Sequence, residues 1–136
     1  MDLIKSLNIS AAGMKAQGTR LRVIAENVAN ADSLPDAPGA EPYRRKMVTF
    51  ASTLDRALGA ELVKVDKIMP DRGQFGRDYN PQHPAADETG YVQTPNVKSL
   101  IELMDMREAQ RSYEANLNMI EASKQMILQT IDLLKA

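Results

Sequence analysis

His83 is the only histidine of the chain, and it lies between Pro81 and Pro84 in the segment NPQHPAAD. An imidazole can act as a general base or bind a metal ion, but either role needs a set of partner residues around it. With no cysteine in the chain and no set of ligands around His83, we predict a loop residue. We predict no metal site and no cofactor.

Two further groups of residues are candidates for acid and base catalysis or for phosphate binding. Asp87 and Glu88 are adjacent, so on most backbones their carboxylates point apart and make a poor general acid and base pair. Gly73 and Gly76 belong to the segment GQFG, which lacks the Lys and the Ser or Thr of a phosphate-binding loop. We therefore predict no catalytic residue and expect that the protein is not an enzyme.

Arg44, Arg45 and Lys46 form a short basic run that could contact an anion or a nucleic acid. The whole chain has 17 Lys and Arg residues against 18 Asp and Glu residues, which gives a net charge of -1. Such a chain has no basic field for a polyanion, so we expect no nucleic acid as a partner. Basic residues at the start of a predicted strand more simply mark a solvated edge that discourages strand pairing.

The distribution of proline divides the 136-residue chain into three parts, because all seven prolines lie between Pro35 and Pro95. Segments 1–31 and 97–136 lack proline and are rich in helix-forming residues, so each predicts a helix. Segment 32–96 is predicted to form a small β-rich lobe with proline-rich loops. The predicted fold is mainly α with a small β lobe, in which the long terminal helices form an α-helical coiled coil and the strand-rich insert lies between them.

Local signals refine these elements. Asp2 is a predicted cap of the first helix, and Asn30 is predicted to end it in the left-handed conformation. Ser99 with Glu102 fits a capping box at the start of the last helix. Alternating apolar residues predict the strands of the lobe at 44–50, 61–68 and 91–93.

The first helix carries a heptad pattern in which apolar or small residues recur at alternating spacings of three and four. Its members are Ile4, Leu7, Ala11, Met14, Gly18, Leu21, Ala25 and Val28. A glycine inside a helix costs about 1 kcal/mol relative to alanine, so Gly18 favours close approach of a neighbouring backbone. We predict that these residues form one half of an assembly interface.

The last helix repeats the pattern, interrupted only by Gln110 and Lys124. Its predicted interface residues are Leu103, Met106, Tyr113, Leu117, Ile120, Ile127, Ile131 and Leu134. Further apolar residues lie off this seam, at Leu100, Ile101, Met104, Met119, Met126, Leu128 and Leu133. One hypothesis is a closed antiparallel helical hairpin. The other is an oligomer or filament, because a single partner helix cannot cover all of these side chains.

Targeting signals are absent from the sequence. No stretch of about 18 apolar residues is present, so we expect no membrane insertion. The start of the chain lacks a long apolar core flanked by positive charge and a cleavage site, so we expect no conventional secretory signal. If the protein leaves the cytoplasm, we expect export without a cleaved signal peptide.

Four segments resemble a known family. Residues 10–32, SAAGMKAQGTRLRVIAENVANAD, are similar to the N-terminal signature of bacterial flagellar rod and hook proteins, and residues 113–134, YEANLNMIEASKQMILQTIDLL, to their C-terminal signature. Residues 79–97, YNPQHPAADETGYVQTPNV, and 43–50, YRRKMVTF, narrow the resemblance to the proximal rod of the basal body. On these motifs the chain is identified as a member of the flagellar basal-body rod family.

This resemblance implies a structural subunit that self-assembles through its terminal helices and transmits torque from motor to hook, in flagellum-dependent motility. It implies synthesis in the cytoplasm, type III export without a cleaved signal peptide and assembly in the periplasmic rod. The implied partners are copies of itself, the adjoining rod proteins, the rod adaptor and, during secretion, the flagellar type III export apparatus. The residues alone leave an alternative, a cytoplasmic coiled-coil adaptor or regulator that acts as a dimer.

Overall fold

The computed structural model describes residues 2–135. Two long α-helices account for about half of the chain: α1 spans Leu3–Ala29 and α2 spans Ser99–Lys135. Both predicted terminal helices are confirmed, each slightly shorter than its segment, while residues 1 and 136 lie outside the described part of the chain. Among the described residues, no helix is both long and apolar enough to cross a bilayer.

The ends of α1 follow from its flanking residues. Asp2 caps the helix as predicted, because its Oδ1 accepts hydrogen bonds from the backbone amides of Ile4 and Lys5 at 3.1 and 3.2 Å. The left-handed conformation predicted for Asn30 is wrong, since only glycines have positive φ among the described residues. Instead, the Asn30 side-chain amide donates to the carbonyl of Glu26 at 2.9 Å and closes the last turn.

Four strands form two separate two-stranded sheets. In the first sheet, β1 (Lys46–Asp55) and β2 (Ala60–Pro70) are joined by four residues, a connection short enough only for antiparallel strands. Asp55 builds this turn by accepting the amides of Ala57 and Leu58 at 2.9 and 3.2 Å, and Gly59 supplies a φ of 60°. The hairpin is longer than the sequence predicts.

The second sheet pairs β3 (Gly76–Tyr79) with β4 (Tyr91–Thr94) in antiparallel register, with Gly76 opposite Thr94 and Tyr79 opposite Tyr91. The sequence predicts β4, but it gives no signal for β3, because GRDY has no alternating apolar residues. The rings of Tyr79 and Tyr91 pack edge to face with centroids 5.2 Å apart, which fixes the register where the strands end.

The chain divides into two compact units. We call the first the terminal unit; it contains the chain up to Leu21, Thr49–Lys67 and the chain from Arg107 onward. The second, the central unit, contains Arg22–Val48 and Ile68–Met106.

The buried residues of both units are unusually small or polar. In the terminal unit, the buried side chains include Ser10, Ala16, Ala109 and Ser123; in the central unit they include Val23, Ile24, Asn27, Ala85, Val92 and Glu102. Neither set contains Leu, Met, Phe or Tyr. A single chain therefore fully buries few of its large apolar side chains.

Two glycines of the central unit provide a matched test of loop geometry. Both have positive φ, 83° at Gly90 and 80° at Gly39, but a Cβ on Gly90 would lie 2.9 Å from Tyr79 Cε2, whereas one on Gly39 meets nothing within 4 Å. We expect Gly39→Ala to cost about 1 kcal/mol through backbone strain alone. Gly90→Ala should cost about 1–3 kcal/mol more through crowding, measured as free energies of unfolding in urea. Equal costs would contradict the described packing of this loop.

Candidate assembly interface

In the terminal unit, α1 and α2 meet through small and polar side chains. The hydroxyl oxygens of Ser6 and Ser123 lie 3.5 Å apart. At Gly13 the helices are close enough that an added Cβ would lie 2.8 Å from Asn116 Nδ2. Because each contact lies seven residues further along α1 and seven residues back along α2, the two helices run antiparallel here.

Several of the buried positions on each helix lie one residue before the predicted heptad seam. On α1 Ser10 and Gly13 are buried, whereas the seam residues that follow them, Ala11 and Met14, are exposed and half-buried. On α2 the inner positions are Glu102, Ala109, Asn116 and Ser123, and the seam positions that follow them are Leu103, Gln110, Leu117 and Lys124. One residue corresponds to about 100° around a helix, so the apolar seams lie to the side of the closest helix contact.

None of the predicted interface residues is fully buried in the single chain. The exposed ones are Ile4, Ala11, Ala25, Leu103, Leu117, Ile131 and Leu134. Those that are half-buried are Leu7, Met14, Gly18, Leu21, Val28, Met106, Tyr113, Ile120 and Ile127. Exposure reaches 63% at Ile4 and 82% at Leu134, so the described chain leaves a long apolar surface on both helices.

The apolar residues off the seam are exposed as well. They are Leu100, Ile101, Met104, Met119, Met126, Leu128 and Leu133. The terminal part of α2 is therefore apolar on more than one face. Many exposed large apolar side chains along one helix favour a protein interaction site.

In the central unit, Asn27 joins α1 to β1 and α2. Its side-chain amide donates to the Lys46 carbonyl at 2.9 Å and to Glu102 Oε2 at 3.0 Å. Its Oδ1 accepts the Lys46 amide and the Tyr43 hydroxyl, both at 2.9 Å. All four hydrogen-bonding positions of this buried amide are thus used, which fixes the relative positions of three chain segments.

Glu102 is the buried anion of this cluster, with only 1% of its surface exposed. Its Oε1 is paired with Arg45 Nε, and its Oε2 accepts from Asn27. The capping box predicted for Ser99 and Glu102 is therefore wrong, because the carboxylate is directed to these partners. Burial of Arg45 opposes its charge, but the hydrogen bond and charge of Glu102 and then Asp71 outweigh burial and raise the pKa of Arg45.

The basic run does not form the solvated strand edge that the sequence predicts. The guanidinium of Arg44 lies 4.1 Å from the centre of the Phe75 ring and donates to the carbonyls of Asp71 and Gly73 at 2.9 and 3.1 Å. The guanidinium of Arg45 also contacts the Asp71 carboxylate at 3.3 Å. Two of the three cations are therefore part of the internal structure of the central unit.

Lys46 is the exposed member of the run, and its ammonium lies 2.9 Å from the Glu26 carboxylate on α1. The hydrogen bond and the charge of each partner raise the pKa of Lys46 and lower that of Glu26. Burial raises the pKa of Tyr43, whose hydroxyl donates to Asn27. These shifts accompany structural contacts between α1 and the start of β1, with no reacting group beside them.

The loop between β3 and β4 is organised by Asp87. Its Oδ1 accepts the Thr89 hydroxyl at 2.6 Å and the Tyr91 amide at 3.0 Å, and its Oδ2 accepts from Arg77 at 2.9 Å. These donors, the Thr89 hydroxyl first, lower the pKa of Asp87 to about 2. The carboxylate thus closes a turn, which leaves it poorly suited to acid and base chemistry.

His83 is a loop residue, as predicted. Its Nδ1 accepts the backbone amide of Ala85 at 3.1 Å. Between residues 2 and 135, no group of three or more His, Asp or Glu side chains is placed to hold a metal ion.

Comparison with known proteins identifies the family. A curated "Flagellar basal-body rod protein FlgC" of Agrobacterium fabrum is 56% identical over 128 residues, which cover 94% of this chain and 92% of that protein. The chain belongs to the FlgC family of flagellar basal-body rod proteins. FlgC relatives from Salmonella typhimurium and Bacillus subtilis are 38% and 37% identical, each over 98% of this chain and over 98% and 99% of their own lengths.

The family described as "Flagellar basal body rod FlgEFG protein C-terminal" matches residues 88–133. This segment includes Glu102 and most of α2, which carries the exposed apolar seam. The resemblance drawn from the sequence motifs is therefore confirmed, and the protein is a structural protein of the rod of the flagellar basal body.

The Asn27 and Glu102 cluster was missed by sequence reasoning, although a signal for it exists. Polar or small residues recur every seven positions at Ser6, Gly13, Arg20 and Asn27, and again at Glu102, Ala109, Asn116 and Ser123. The apolar heptad on the same helices predicts a different buried face, because burial is normally assigned to apolar residues first. Polar residues at heptad spacing can instead specify the register of a helix pair.

We expect Asn27→Leu to destabilise the central unit by about 3–5 kcal/mol, because it leaves Glu102, Tyr43 and the backbone of Lys46 without this partner. The free energy of unfolding in urea measures the loss. Asn8→Leu is the matched control on the same helix, since the exposed Asn8 amide bonds only the carbonyl of Ile4 and should change stability by less than about 0.5 kcal/mol. Similar values for the two variants would refute the proposed importance of Asn27.

Proposed function

We propose that this FlgC-family protein is a subunit of the proximal rod that self-assembles through its terminal helices and transmits torque from the motor to the hook. The observation that carries the proposal is the exposure of the apolar seams of α1 and α2. Within the chain, by contrast, the two helices contact each other through polar side chains such as Ser6 and Ser123. A helix pair that closed on itself would direct its leucines and isoleucines inward. In this chain many of the large apolar side chains stay exposed, and we propose that neighbouring subunits cover them.

The energetics favour assembly over the isolated chain. Complete burial of one Leu or Ile side chain contributes about 1.5–3 kcal/mol, so a few seam residues covered by a neighbour stabilise the complex substantially. A single copy keeps Leu117 at 36% and Leu103 at 47% exposure. Each subunit added to the rod would cover such residues, and the interface would form a coiled coil among several copies.

Torque transmission requires that helices resist sliding past one another. The close approach at Gly13 and the seven-residue repeat of polar contacts favour a single register between α1 and α2. A helix displaced by one turn would place Ile9 or Gln17 opposite Asn116 in place of Gly13, and either side chain is too large for the close contact. We infer that the polar contacts hold each subunit rigid while the apolar seams bind it to its neighbours.

The remaining expectations about domains, export and partners complete the proposal. We propose that segments 1–31 and 97–136 act together as the assembly domain, with 32–96 as the β-rich segment between them in the sequence. The protein is proposed to be exported by the type III apparatus without a cleaved signal peptide, and to assemble in the periplasm with copies of itself, the adjoining rod proteins and the rod adaptor. The absence of cysteine suits passage of an unfolded chain, and no catalysis or cofactor is proposed.

We expect Leu21→Asp and Leu117→Asp each to abolish incorporation into basal bodies while leaving export possible. A carboxylate in a seam that a neighbour covers would be desolvated without a partner, at a cost of several kcal/mol. Incorporation is measured by the amount of subunit in purified basal bodies, and motility on soft agar gives a second measurement.

Asn118→Asp is the control for these variants, because it places the same charge on the exposed residue next to Leu117. This variant should incorporate and swim normally. Normal motility of both leucine variants would contradict the assembly role of the seams.

A further inference from the structure

The terminal unit contains a groove that the helix contacts do not use. It lies between α1 and the hairpin of β1 and β2, and it has a volume of about 560 Å³. Its lining combines apolar residues, among them Leu54 and Val63, with three cations, Lys15, Arg56 and Lys64, and a single anion, Asp55. Leu54 and Val63 are 59% and 39% exposed, so the groove is open.

The apolar and charged residues that line the groove indicate what kind of segment would bind there. An apolar floor with a cationic excess favours a segment that presents apolar side chains flanked by carboxylates. Such a segment exists on α2 of the chain itself. Residues 112–123, SYEANLNMIEAS, contain two acidic residues and no basic residue.

The acidic residues and Leu117 share one face of α2. Glu114, Leu117 and Glu121 follow one another at spacings of three and four, which places them in one line along the helix. The glutamates are seven residues apart, or about 10.5 Å along the axis. All three residues are exposed, so this stripe is not seated in the groove of its own chain. We call Glu114, Leu117 and Glu121 the acidic stripe.

We propose that the groove of one subunit binds the acidic stripe of a second copy of the chain. Leu117 of the second copy would cover the apolar lining, and its glutamates would pair with Lys15, Arg56 and Lys64. This inference rests on the proposed self-assembly and deepens it, because it assigns one surface of the hairpin to one segment of a neighbour. Complementary charge would then select the neighbour and fix its register along α2.

A charge exchange tests this contact. Lys15→Glu with Lys64→Glu reverses the groove, and Glu114→Lys with Glu121→Lys reverses the stripe. Each double variant is expressed as the only copy of the protein in the cell, so that like charges meet at the proposed contact. We expect the amount of subunit in purified basal bodies to fall at least about tenfold. The quadruple variant restores opposite charges and should recover incorporation to within about threefold of the native chain. The exposed Lys98→Glu is the control for an added carboxylate, and it should incorporate normally.

Circular dichroism of the purified variants verifies that each one folds as the native chain does. Normal incorporation of either double variant would overturn the groove contact. Loss in both double variants without recovery in the quadruple variant would also overturn it, and would indicate that another protein of the rod occupies the groove. Leu21 lies outside the groove and the acidic stripe. The effect of Leu21→Asp on incorporation therefore tests the proposed seam interface independently of the groove contact.

Discussion

A buried carboxylate is stable only when it is paired, and Glu102, 1% exposed, is held between Asn27 on α1 and Arg45 just before β1. Removal of any partner would leave a desolvated charge or an unsatisfied amide inside the central unit. Because the three groups come from separate segments, their mutual satisfaction determines where β1 leaves the helices. The contacts of Arg44 and Arg45 with Asp71 extend the same polar framework, and Asp87 builds a second polar cluster in the loop between β3 and β4.

The polar framework explains how so small a protein can leave its apolar surface exposed. Hydrophobic burial normally supplies most of the stability of a domain, so residues such as Leu and Ile are usually buried in its core. Here Ser, Gly, Asn and Glu share the inner positions of the helices with alanines, Val23 and Ile24, so the leucines and methionines remain available. Membership of the FlgC family is consistent with this exposed surface, since a rod protein assembles with itself and with other rod components.

The sequence predicts the elements better than it predicts their orientation. Composition and proline placement identify both helices, and alternation identifies three of the four strands. The short strand Gly76–Tyr79 was missed because its pairing depends on the register opposite Tyr91, a tertiary effect. The family motifs identified the rod family, but no local pattern shows that Glu102 faces Arg45 and not the end of its own helix, because that choice depends on residues 57 positions apart.

We propose that polar residues join the helices within a chain while apolar seams join chains, so Leu117 should be accessible in the free subunit and covered in the rod. Because the chain has no cysteine, a single Leu117→Cys variant can be labelled with a maleimide before and after assembly. We expect rapid labelling of the purified subunit and strong protection in isolated basal bodies. A Glu88→Cys variant, labelled as the free subunit, gives the reference rate for an exposed loop residue. Equally rapid labelling of Leu117→Cys in both states would show that no neighbour covers the seam.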